Sequence, residues 1–142
     1  MDSIDVLRFE DCNGAGPYCS PRSPYSYDNC DRSAKARRMR ELFLDHRGDS
    51  HPNPHQGGEP WDVGVRHDDD VCGFRDLDQL CAWFSDEEVE LMLDFGFSLV
   101  TYRVPASDVR VGRKQACFVK GQARPEVFLP ARSVGQECRN RF

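Results

Sequence analysis

Residues 71–118 read VCGFRDLDQLCAWFSDEEVELMLDFGFSLVTYRVPASDVRVGRKQACF, and this run decides the fold. Leu77, Leu80, Cys81 and Phe84 recur at i, i+3, i+4 and i+7, so one stripe of a short helix faces a core. Ser85-Asp86-Glu87-Glu88 places a hydroxyl at the N-cap and a carboxylate at N3, the capping box that starts a second helix. Three acids in that first turn also suit the positive end of the helix dipole. Val89, Met92 and Leu93 supply its buried face, and Gly96 is the natural residue just past its end. Phe97 to Val104 is rich in β-branched and aromatic residues and reads as a strand whose ladder Pro105 ends. Gln115 to Val119 reads as another. The order helix, helix, strand, turn, strand predicts an α+β fold with a small mixed or antiparallel sheet and two or three helices.

Working outward, Ile4 to Phe9 reads as a first strand with Val6 or Leu7 inward. Residues 11–18 form a turn cluster, and loop continues through Asn29. Asp31 or Ser33 can cap a helix over Ala34–Asp45, apolar at Met39, Leu42 and Phe43 and basic at Lys35, Arg37, Arg38 and Arg40. Residues 46–70 carry little element signal, and a loop of that length is usually a lid, a binding loop or disordered. Val109 to Gly112 suggests a short strand, and Glu126 to Leu129 an edge strand between Pro125 and Pro130. The expected organisation is one domain over 1–142: loop-rich 10–70, a compact core 71–130 and a weakly ordered tail 131–142.

A chain of 142 residues with 39% apolar residues can bury a real core. The net charge of −5, from 19 basic and 24 acidic residues, argues against a general nucleic-acid binder, which carries a basic excess. No apolar run reaches membrane-spanning length. The acidic N-terminus lacks the apolar core of a signal peptide. Cytoplasmic residence, with no membrane partner, is the expectation. Of seven cysteines, Cys72, Cys81 and Cys117 fall on apolar faces and are expected as buried, reduced thiols. Cys12, Cys19 and Cys30 fall in loops and are expected to be exposed.

Several groups of residues invite a chemical reading. His46, His51, His55 and His67 lie close to Asp68, Asp69 and Asp70, donors that suit a divalent ion. Two prolines separate His51 from His55, however, and no Cys-x-x-Cys accompanies them, so no metal site is expected. The cysteine spacings match no zinc knuckle, and nothing pairs a histidine with a nucleophilic cysteine. The basic helix face could meet phosphate or simply face solvent. Gly14-Ala15-Gly16-Pro17 lacks the Lys-Ser/Thr ending of a phosphate loop. Glu87 and Glu88 are explained by capping.

The order of pieces nevertheless resembles something known. A first strand carries an arginine (Val6-Leu7-Arg8-Phe9). A Gly-Phe segment leads into a helix, then come Val100-Thr101-Tyr102-Arg103-Val104-Pro105 and a Gly112-Arg113-Lys114-Gln115 strand. This resembles the small ADP-ribosyltransferase-like fold, and small phage proteins that share the tail pattern. The resemblance implies that Arg8 holds NAD and that Phe74 or Tyr102 clamps the nicotinamide. It also puts Gln115 near the place of the catalytic glutamate. Gln115 is a departure, because a neutral amide cannot stabilise an oxocarbenium-like centre. Glu10 or Glu126 could supply the missing charge. The plainer reading makes Arg8 an outward strand residue, Tyr102 core, and Gln115 a partner for a buried backbone group.

Two functions follow. The first is a small phage-type protein that binds and inhibits a host protein or complex, in the manner of a counter-defence, anti-CRISPR-like inhibitor. It uses no cofactor, and Phe74 and the acidic run Asp68, Asp69 and Asp70 meet the partner. The alternative is an NAD-dependent ADP-ribosyltransferase that modifies a host protein through Arg8, Tyr102 and Gln115. The two separate on one geometric point: whether a Glu or Asp lies within reach of the cleft beside Arg8.

Overall fold

The computed structural model describes residues 2–26, 29–46, 51 and 69–130. In chain order the elements are β1 (Ser3–Glu10), α1 (Ala34–Phe43), β2 (Asp70–Gly73), α2 (Leu77–Trp83), α3 (Asp86–Asp94), β3 (Ser98–Pro105), β4 (Val109–Val111), β5 (Ala116–Val119) and β6 (Arg124–Pro130). The strands form two antiparallel three-stranded sheets, ordered β1-β3-β6 and β2-β5-β4. The α+β class expected from residues 71–118 is what the chain adopts.

The local signals work as their chemistry requires. The hydroxyl of Ser85 accepts from the Glu88 amide, and the Glu88 carboxylate accepts from the Ser85 amide. Gly96 takes φ +83° just beyond α3, a conformation glycine reaches without steric cost. Ser33, not Asp31, caps α1, accepting from the Ala36 amide at 3.1 Å. The α1 helix stops at Phe43, two residues short of the expected end, because Leu44, Asp45 and His46 close 3-residue turns instead. The β6 strand includes both prolines that were expected to bound it. It lies at a sheet edge, where a missing ladder donor is tolerated.

Side-chain alternation makes β1-β3-β6 a middle layer. Val6 pairs with Tyr102 and Ile4 with Val104, and their common face packs on Ala116 and Phe118 of the second sheet. Phe9 and Leu99 point the opposite way, onto Met39 of α1, Leu80 of α2 and Val89 and Met92 of α3. In β3, Val100, Tyr102 and Val104 are buried on the face toward the second sheet and Leu99 on the face toward the helices, while Arg103 reaches solvent. Besides this packing, the backbones of the two sheets are joined at a seam where Leu7 and Phe74 exchange two hydrogen bonds of 2.7 Å.

One expectation is corrected here. Cys81 is disulfide-bonded rather than a reduced thiol. The basic face of α1 is exposed, as its solvent-facing reading expects, and carries surface ion pairs: Lys35 pairs with Asp94 and Arg38 with Glu87 and Glu41, while Arg40 donates to the carbonyls of Pro24 and Asn29. The tail 131–142 lies outside the described residues.

Candidate functional site

Arg8 and Glu10 are two residues apart on β1, so both project to the face that packs on the second sheet. Glu10 is 3% exposed, and a buried carboxylate persists only when paired. Its Oε2 meets Arg8 Nε at 3.3 Å and Lys120 Nζ at 2.7 Å. Its Oε1 accepts from the Tyr102 hydroxyl. Arg8 Nη1 also donates to the Cys72 carbonyl of β2 at 2.6 Å, which ties the cluster across the seam. Burial pushes the Tyr102 phenol well above its ordinary range, and the Glu10 charge pushes it further. Tyr102 therefore stays a donor.

The glycine turn after β1 closes over this cluster. The Asp11 carboxylate organises it, accepting from the Asn13 and Ala15 amides and the Ser20 hydroxyl. Lys120 Nζ donates to the Gly14 carbonyl at 2.7 Å. A Cβ on Gly16 would lie 2.9 Å from Arg8 Nη2, and one on Gly14 3.0 Å from Lys120 Nζ. The glycines are there so that backbone can approach two cationic heads. The turn offers them a carbonyl, in keeping with its unlikeness to a phosphate loop. Two cations face one carboxylate, leaving an excess of one positive charge. The Arg8 and Lys120 side chains are 13% and 33% exposed, so of the two it is Lys120 that borders solvent.

The other residues singled out in the sequence are scattered. Phe74 is buried with Trp83 and Phe84 on the helix side of the middle sheet, whereas Tyr102 is on the opposite side. The two rings cannot grip one ligand ring. Gln115 is buried, and its carbonyl closes the β4–β5 hairpin through the Gly112 amide. Of the acidic run, Asp68 lies outside the described residues, and Asp69 is exposed. Asp70 is buried and bound to Arg110 at 2.7 Å, so it does not belong to an acidic contact surface. The Glu126 side chain, with His55 and His67, also lies outside what is described.

A second polar cluster escaped the sequence. Trp83 Nε1 donates to the Tyr18 hydroxyl at 2.8 Å, and that hydroxyl lies 2.7 Å from His46 Nδ1. His46 Nε2 is 2.5 Å from Glu88 Oε2, close enough for a charge contact but off the ring's N–H direction. Tyr25 donates to the same oxygen. His51 stacks on His46 with ring centroids 4.3 Å apart, and its Nε2 lies 2.6 Å from the Trp83 carbonyl. Glu88 thus serves a buried network as well as its cap. A capping glutamate three residues from its serine gives no sign of that second use. No group of three metal-capable side chains occurs among the described residues.

This second cluster sets a pH dependence. Burial and the neighbouring His46 hold the pKa of His51 below its ordinary 6.5. The folded state thus favours neutral His51, and that contribution is complete above 6.5 and lost as pH falls below it. Burial opposes the Glu88 charge, but contacts from His46, Ser85 and Tyr25 outweigh it and hold its pKa below 4.5. Its contribution is complete above 4.5 and lost as pH falls toward the depressed value. Urea midpoints measured from neutral to acid pH should therefore drop in two stages, and His51→Asn should remove the upper one. A flat profile between 6.5 and 4.5 would contradict the burial of His51.

A family model described as the bacteriophage T4 Y00F protein matches residues 1–131, and the chain belongs to this family. No curated protein and no solved structure matches it. No helix among the described residues is long and apolar enough to cross a membrane.

Proposed function

We propose that this member of the bacteriophage T4 Y00F family is an NAD-dependent ADP-ribosyltransferase-like protein acting on a host protein through the Arg8–Glu10–Lys120 cluster. The observation that favours this reading is the buried Glu10 carboxylate 3.3 Å from Arg8, a carboxylate of the kind the transferase needs beside its arginine. Arg8 and Lys120 would exchange Glu10 for the NAD pyrophosphate as their anionic partner. Glu10, still held by the Tyr102 hydroxyl, then supplies the negative charge that Gln115 cannot. The ribose–nicotinamide bond breaks with its electron pair leaving on nicotinamide. A nucleophilic side chain of the target forms the new bond to the same carbon and loses its proton. Tyr102 positions Glu10 in this scheme and does not clamp the nicotinamide.

Capture of host proteins from a bacterial lysate on the tagged full-length chain, with and without NAD, tests this by intact mass. The expected result is a host protein heavier by one ADP-ribose only when NAD is present, with the gain absent for Arg8→Ala that retains the native circular dichroism. A stoichiometric partner of unchanged mass, held equally with and without NAD, would overturn the enzyme and favour the inhibitor of the counter-defence type.

A further inference from the structure

We infer that Cys72 and Cys117 form a reversible dithiol–disulfide couple, a modification site at the centre of the second sheet. The two residues are directly opposed in the β2–β5 register, both are reduced, and their sulfurs are 3.3 Å apart. Opposed residues of an antiparallel pair have Cα atoms roughly 4.5–5.5 Å apart. That lies inside the span a disulfide bridges, about 4.4–6.8 Å. Closing the bond to about 2.05 Å therefore asks for rotation of two side chains and no movement of the strands.

The roles of the two sulfurs differ. Cys117 is fully buried and Cys72 half-buried. The Cys117 thiol is pushed far up, chiefly by its contact with Cys72 and then by burial, while the Arg110 guanidinium opposite it in the β4–β5 register works the other way. Cys72 is thus the sulfur that meets an external oxidant, and Cys117 the one that resolves. With a low-molecular-weight disulfide such as oxidised glutathione, the Cys72 thiolate attacks one sulfur and expels the first glutathione thiolate. Cys117 then attacks Cys72 in the mixed disulfide and expels the second. The two protein thiols give up two protons and two electrons, and two glutathione thiols form.

The Cys72 carbonyl is the group that anchors Arg8, so oxidation would fix β2 at that anchor. The couple itself does not depend on what Arg8 binds.

The full-length chain is treated with oxidised glutathione, alkylated after denaturation, and mapped by peptide mass. The expected result is a 72–117 crosslink, reversed by excess reduced glutathione. The Cys117→Ala variant should instead retain one glutathione on Cys72, and Cys72→Ala should leave Cys117 unmodified. Alkylation of both cysteines in the treated wild type would overturn the inference. So would Cys72 crosslinked to Cys12, Cys19 or Cys30 as often as to Cys117.

Discussion

Glu10→Gln is expected to lower the unfolding free energy by about 3 kcal/mol, the lower end of what breaking a buried ion pair costs. The amide keeps the shape of the carboxylate, and its oxygen still accepts from the Tyr102 hydroxyl. It carries no charge, so Arg8 and Lys120 are left facing each other around a neutral group. Arg8 keeps its Cys72 contact and Lys120 its Gly14 contact, but neither carbonyl neutralises a cation. Because the Lys120 side chain is 33% exposed, water relieves part of the repulsion, which places the effect at the low end. Urea unfolding followed by tryptophan fluorescence measures it. A loss below about 1 kcal/mol, the scale of an exposed pair, would mean that the cluster is solvated and that Glu10 is no buried charge. The same variant separates structure from chemistry. If it stays folded, the proposed transferase loses its labelling, whereas an inhibitor keeps its partner.

Gly73→Ala is expected to cost about 3 kcal/mol, at the upper end of ordinary overpacking. Gly73 precedes the seam residue Phe74, and a Cβ there would lie 2.5 Å from the Leu7 carbonyl oxygen and 2.9 Å from Val6 Cγ1. A side chain could turn aside from such a contact. The Leu7 carbonyl cannot, because it accepts from the Phe74 amide at 2.7 Å. The added methyl must either break that bond or push β1 away from β2, and Arg8 loses its hold on Cys72 in the second case. Loss of hydrogen-exchange protection at the Leu7 and Phe74 amides should accompany the drop in stability. Gly121→Ala is the control: nothing lies within 4 Å of its added Cβ, so its effect should stay within about 0.5 kcal/mol. Equal effects from the two substitutions would show that the sheets are not joined at this seam.

What the sequence determined by itself is the part of the protein whose causes lie within one turn or one strand. The capping box at Ser85 and Glu88, the Gly96 stop and the apolar run of β3 each depend on residues three to eight positions apart. Such signals are contained within the local sequence, so α2, α3, β3 and β5 were legible, although their stability comes from packing. Arg8 and Glu10 could be named because alternation on one strand puts them on one face. Their meaning could not be, because the groups that make Glu10 a buried charge come from Tyr102 and from Lys120, separated from it by 110 positions. The same holds for Glu88 against His46 and for Asp70 against Arg110. In each case a polar side chain reads as surface in the sequence. Only the closure of long stretches of chain, which brings β5 beside β2 and β1 onto both, supplies the partner that lets it be buried. Phe74 shows the converse. Its sequence offers an aromatic ring for a ligand, and the tertiary structure spends that ring on the core because the seam with Leu7 fixes which face it points to.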